Sequence, residues 1–219
     1  MAANPGTGSS GTKRGGKKRV TRPPETGHLI YFNQAKEFVL NSFAAVANQL
    51  VPLHLTRTVD WLLKLEQQAD EALLIAGVAH DIERAFREDA IYEKMFLSEN
   101  AFRDKAFLDY HQQRSARIIT DFLNTLDCPA EISEKVFHLV AHHETGGDPE
   151  SNLLKDADSL SFFQTNVDLF VTVKVKESSP ENVKSKFEWM FERISDLKAK
   201  ELCRPLYESA MIRLAQLEN

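Results

Sequence analysis

Apolar positions recur at helical spacing through almost the whole chain from Asn33 onward. Phe38, Phe43, Val46 and Leu50 form one such series, and Val59, Leu62, Leu63 and Leu65 form another. Further helices are predicted over roughly 69–86, 89–98, 110–125, 129–143, 152–171, 180–198 and 199–217. Pro129 and Pro180 suit first helical turns, where the missing N–H costs nothing. Gly146-Gly147-Asp148-Pro149 reads as a helix stop followed by a turn. No segment keeps a period of two, and no internal repeat is visible. The predicted fold is an all-α helical bundle.

Composition adds boundaries to this pattern. Residues 1–27 are rich in Gly, Ser, Thr, Pro and basic side chains, so a disordered basic tail is expected there. One helical domain is expected over 28–219, with its core motifs in 54–156 and C-terminal helices in 172–219. A chain of 219 residues with 42% apolar content allows a sizeable core. No run of about eighteen apolar residues occurs, so no membrane span is expected. The lack of an apolar stretch before Leu29 predicts no signal peptide and a cytoplasmic location. Cys128 and Cys203 have no metal-like spacing and read as reduced thiols.

The net charge of −5 is unevenly spread. Lys13, Arg14, Lys17, Lys18, Arg19 and Arg22 lie in an acid-free stretch, which leaves the rest of the chain strongly acidic. An acidic body argues against a nucleic-acid surface. Only the tail offers nucleic acid or an acidic partner a contact. Nothing in the sequence sets an oligomeric state.

The chemistry concentrates at His80-Asp81, which closes the apolar segment Ala72 to Ala79. An ionised Asp near a buried helix end is costly unless it is paired or binds a metal. His54 precedes this pair; His111, His142, His143 and Asp156 follow it. Each gap fits one or two helices, so a bundle can bring these side chains together from different helices. Imidazoles with carboxylates suit one or two divalent ions of Fe, Mn, Co, Ni or Zn, and no cysteine is close enough to favour a thiolate site. A carboxylate such as Asp81 can bridge two ions, and a water between them would be acidified into a nucleophile.

The order His54-x-x-Arg57, AGVAHD, His111, His142-His143 and LLKDADSL resembles the HD-domain superfamily of metal-dependent phosphohydrolases, over roughly residues 34–170. That resemblance implies an HD-type helical bundle with a metal site in its core. His54, His80, Asp81 and Asp156 would hold one metal. His111 with His142, His143 or both matches the dinuclear branch. The implied activity is hydrolysis of a phosphate ester or anhydride by a metal-bound hydroxide, on a nucleotide or another small phosphorylated metabolite. His142-His143-Glu144 is similar to the cyclic-di-GMP phosphodiesterase branch. The Gly-Tyr-Pro of that branch is replaced here by Thr145-Gly146-Gly147-Asp148-Pro149, which argues against that substrate.

Arg84 matches the position of a phosphate-binding lysine in the same branch, and a guanidinium there can grip phosphate oxygens in the transition state. Asp81 and Arg84 are therefore the expected catalytic pair. Arg57, Lys155 and Arg114 are further candidates for substrate contact. Two other functions fit the same ligands: a di-iron oxygenase cleaving a C–C or C–P bond, told apart by iron specificity and O₂ consumption, and a non-catalytic nucleotide-sensing module, told apart by absent turnover. His28 and His138 are expected to have no role in the site. Asp158 is expected to be an ion-pair partner, or else an acceptor behind a ligand imidazole. Phe162, Phe163, Phe187, Trp189 and Phe191 read as core.

Overall fold

The computed structural model describes residues 1–2, 29–45, 49–87 and 101–217, the side chain of Ala101 excepted. The predicted helix over 89–98, Val46 and all but the first two residues of the basic tail lie outside the described residues. What is described is all-helical, without strands. α1 spans Ile30–Ser42, α2 Leu50–Leu65 and α3 Glu71–Ala79. Two 3-10 turns follow, Ile82–Phe86 and Ala101–Arg103. Then come α4 (Lys105–Asn124), α5 (Ala130–Ala141) and α6 (Pro149–Thr165). A short stretch runs through α7 (Val167–Leu169), a π-helical turn (Phe170–Lys174) and α8 (Val175–Glu177). α9 (Pro180–Glu192) and α10 (Leu197–Ala215) complete the bundle. Among the described residues no helix is long and apolar enough to cross a membrane.

α6 is the axis of the fold, because residues 154–163 are buried all round. Leu154 and Ala157 join an apolar cluster built from α1 to α5, including Val39, Leu62, Ile75, Ile119 and Val140. Leu160, Phe162 and Phe163 join a second cluster with Phe187, Met190, Phe191, Cys203 and Leu214 from α9 and α10. The aromatic residues Phe162, Phe163, Phe187 and Phe191 are thus core, as expected. Gly77 lets α3 lie close on α2: a Cβ there would sit 2.5 Å from Leu62 Cδ1.

Several boundaries differ from the expected ones, for local reasons. α6 starts at Pro149 rather than near 152. The Asp148 carboxylate accepts the N–H groups of Glu150 and Ser151, so Asp148-Pro149 is a helix start and not only a turn. α4 starts at Lys105, where Asp104 accepts the Phe107 N–H. The segment expected as one helix over 69–86 breaks after Ala79. There His80 Nδ1 meets the Gly77 carbonyl at 3.0 Å, one of the carbonyls left over at a helix end. The chain then turns through His80-Asp81 into the first 3-10 turn. α9 stops at Glu192, and Asp196 caps α10 by accepting the Ala199 N–H.

Candidate metal centre

Six buried polar side chains meet between the helices: His54 from α2, His80 and Asp81 from the turn after α3, His111 from α4, His143 after α5 and Asp158 from α6. They form two trios that share Asp81. His54, His80 and Asp81 make one, and Asp81, His111 and His143 the other, with the ligand atoms of each within 4.8 Å of one another. The two oxygens of Asp81 divide between them. Oδ2 lies 3.9 Å from His80 Nε2, and Oδ1 lies 2.8 Å from His111 Nε2 and 4.0 Å from His143 Nε2. Asp158 Oδ1 adds to the first trio, 3.0 Å from His54 Nε2 and 3.6 Å from His80 Nε2.

Each imidazole is oriented through its outer nitrogen. His80 Nδ1 faces the Gly77 carbonyl at 3.0 Å, and His143 Nδ1 faces the Val140 carbonyl at 2.7 Å. His111 Nδ1 faces Glu83 Oε1 at 2.8 Å. His54 Nδ1 lies 2.9 Å from Ser161 Oγ, whose own proton goes to the His54 carbonyl at 2.7 Å. All four Nδ1 partners therefore act as acceptors, which places a proton on each Nδ1 and leaves a lone pair on Nε2 whenever the ring is neutral. Those lone pairs converge on the Asp81 and Asp158 carboxylates. His143 Nε2 and His111 Nε2 make no hydrogen bond among the described residues, the latter despite its short distance to Asp81. Buried ring nitrogens left without a partner are costly unless a cation or a proton fills the space they face. The donor set fits one or two divalent ions on these grounds, with imidazoles steered by acceptors behind them.

The surrounding charges support the same reading. Burial would raise the Asp81 carboxyl, but Arg84, His80 and His111 hold it well below the usual carboxylate range. Burial acts the same way on Asp158, yet Arg193, His54 and His80 keep it far down. Burial pushes His143 down to about 4, so it is neutral near pH 7. Burial also works against His111, but the Asp81 and Glu83 carboxylates prevail and raise it to about 9. Glu83 is itself held down to about 2, against burial, by His111 and Arg87.

Two expected ligands lie outside the cluster. Asp156 turns away: its oxygens accept the N–H groups of Ser195 at 2.9 Å and Asp196 at 2.8 Å, tying α6 to the start of α10. Side chains two residues apart on a helix diverge by about 200°, so only one of Asp156 and Asp158 can face the imidazoles. That residue is Asp158, expected to stand behind the ligands or in an ion pair. His142 also turns away at the end of α5. Its Nδ1 lies 2.7 Å from the His138 carbonyl, and its ring leans on the His138 ring. His138 reaches Asp148 on the surface.

Of the expected cationic groups, Arg84 is at the cluster, 2.9 Å from Asp81 Oδ2. Its side chain is still 34% exposed, and its buried Nε has no partner among the described residues. Arg57 pairs with Asp60 on the outer side of α2. Lys155 reaches Asn152 Oδ1 at 3.3 Å and lies against the Gly146 turn. Neither contacts the imidazoles. Arg114 binds the Phe86 carbonyl and the Tyr110 hydroxyl, bracing the 3-10 turn after Asp81.

Residues that sequence reasoning missed stand around the cluster. Glu83 steers His111. Arg193 joins Glu144, Asp158 and Ser159 Oγ. Lys186 lies over the Trp189 ring at 4.4 Å, and burial pushes its ammonium down to about 8 although Glu144 and Asp158 oppose this. The available signal was the spacing Lys186, Trp189, Arg193, which puts both cations on one helical face with the ring between them.

Fold and site together define an all-helical protein with a buried histidine–carboxylate cluster able to hold metal. The family model described as Domain of unknown function (DUF4202) matches residues 44–204, and the chain belongs to that family. No curated protein and no solved structure matches it.

Proposed function

We propose that this chain is a metal-dependent phosphohydrolase of HD type, acting on a nucleotide or another small phosphorylated metabolite. The observation that carries this reading is the convergence of four Nε2 atoms on Asp81 and Asp158, with Asp81 common to both trios. His54, His80, Asp81 and Asp158 would hold one ion, and Asp81, His111 and His143 a second. Ions held there supply Lewis acidity and lower the pKa of coordinated water toward neutrality.

The protein's own groups do the rest. Ser161, Gly77, Glu83 and Val140 fix the rings, so the ligand geometry is set before substrate arrives. Arg84, beside Asp81 and still 34% exposed, would bind non-bridging phosphate oxygens, where charge grows during hydrolysis. Arg193 fixes Glu144 and Asp158 and has little left to offer a substrate.

The test is a panel of phosphate monoesters, diesters and anhydrides, run on protein loaded with Mn²⁺, Fe²⁺, Co²⁺ or Zn²⁺. Phosphate release that chelation abolishes, and that Asp81→Ala abolishes while the helical signal survives, is expected. No release with any metal contradicts the proposal. Iron-dependent O₂ consumption without phosphate release would identify an oxygenase instead.

A further inference from the structure

The cations around the cluster differ in how much of their charge is already committed. Arg193 is taken up by Glu144, Asp158 and Ser159. Arg87 is taken up by Glu83. Arg84 gives one nitrogen to Asp81. Lys186 differs from all three. Among the described residues its ammonium makes no hydrogen bond and no ion pair. It lies instead among three aromatic rings, 4.4 Å from the centre of Trp189, 5.1 Å from Phe102 and 5.6 Å from Phe162. Phe102 comes from the second 3-10 turn, which Arg103 ties to the Ser185 carbonyl on α9. Arg193, which binds Asp158 of the cluster, lies over the same Trp189 ring at 4.8 Å, so Lys186 belongs to the surroundings of the metal centre.

Ring faces attract an ammonium and hold it in place, but they accept none of its three strong N–H bonds. Among the described residues no carboxylate comes within ion-pair distance of it, and Glu144 and Asp158 reach Arg193 instead. A half-buried ammonium is thus positioned, charged and left with unused donors beside the cluster. Anionic oxygen is the chemistry that completes it.

We propose that Lys186, in the cage of Phe102, Phe162 and Trp189, is a substrate-binding residue that takes a second phosphate of the substrate, while Arg84 serves the phosphate at the metal centre. The substrate class is a compound with two linked or neighbouring phosphates, a phosphoanhydride or a bisphosphate. This rests on the phosphohydrolase reading for its chemistry, while the cage geometry stands independently of it.

Trp189 reports on the cage directly. The chain has two tryptophans, and Trp61→Phe leaves Trp189 as the single emitter. Inorganic pyrophosphate and orthophosphate are titrated into this full-length variant, both chelated and metal-loaded. Pyrophosphate is expected to shift the Trp189 emission saturably and to bind more tightly than orthophosphate. Adding Lys186→Met, which keeps the apolar stem, is expected to weaken pyrophosphate binding about tenfold or more. Lys186→Arg is expected to stay within about threefold of the parent. A Lys186→Met protein that binds pyrophosphate as the parent does, with only its melting temperature lowered, overturns the proposal and leaves Lys186 as packing. Lys186-dependent binding in a protein that holds no metal would keep this subsite and remove the metal reading. Metal binding with no effect of Lys186 would do the reverse.

Discussion

Asp81 Oδ1 and His111 Nε2 lie 2.8 Å apart with no hydrogen-bonding alignment between them, while Glu83 takes the other side of the same ring at 2.8 Å. Two acceptors at that distance need a cation between or beside them. Without metal, a proton serves, and His111 is raised from 6.5 to about 9. With metal, the proton leaves.

The raised value fixes the sign of the pH dependence. In chelated protein the His111–Asp81–Glu83 contact stabilises fully below pH 6.5 and is lost as pH rises through about 9. Metal binding competes with the same proton, so affinity at the second trio should increase with pH over that window. Calorimetry at pH 7 in two buffers of different ionisation heat should reveal proton release on metal binding. Identical heats in both buffers would contradict the assignment.

Asp158 and Asp156 should separate cleanly. Asp158→Asn keeps the shape and removes charge from His54 and His80, so metal bound at the first trio should fall sharply. Asp156→Ala should leave metal content intact while destabilising the fold by about 1–3 kcal/mol, because two part-buried hydrogen bonds to the start of α10 are lost. Metal analysis and thermal melts of the two variants check this pair.

The neighbouring histidines make a similar contrast. His143→Ala is expected to reduce metal to about one ion per chain by opening the second trio. His142→Ala, which loses only a contact with His138, should match the parent in metal content and activity.

Glu83 touches no proposed metal position but steers His111, so it tests orientation apart from ligation. Glu83→Gln is expected to weaken metal at the second trio by about 10–100-fold. The first trio should be unaffected, and a uniform loss at both would show a general folding defect instead.

How much of this could be read from sequence varies by element. His54, His80 and Asp81 were legible because each stands near a helix end, and His111, in the second turn of α4, was legible from its place in the ordered series of histidines. Asp158 was not. Residues 154–163 are buried on every side, so no polar face shows which aspartate points at the imidazoles. His142 and His143 are adjacent at a helix terminus, and the last turn, rather than any periodicity, decides which ring enters. Lys186 lies on an amphipathic helix without a motif and Arg193 just past its end, and their part appears only once α9 packs beside α6. The close of the apolar segment at Ala79 was legible, but the separate 3-10 turn after it was not, because Ile82 is buried in the same core.

The most direct measurement is the metal content of parent and Asp81→Asn protein, each loaded with the same divalent ion and freed of excess. Asp81 alone belongs to both trios, so its neutral isostere should lose metal from both positions, taking about two ions per chain toward none, with the helical signal preserved. Equal metal in the two proteins would contradict a shared carboxylate at the centre of this site.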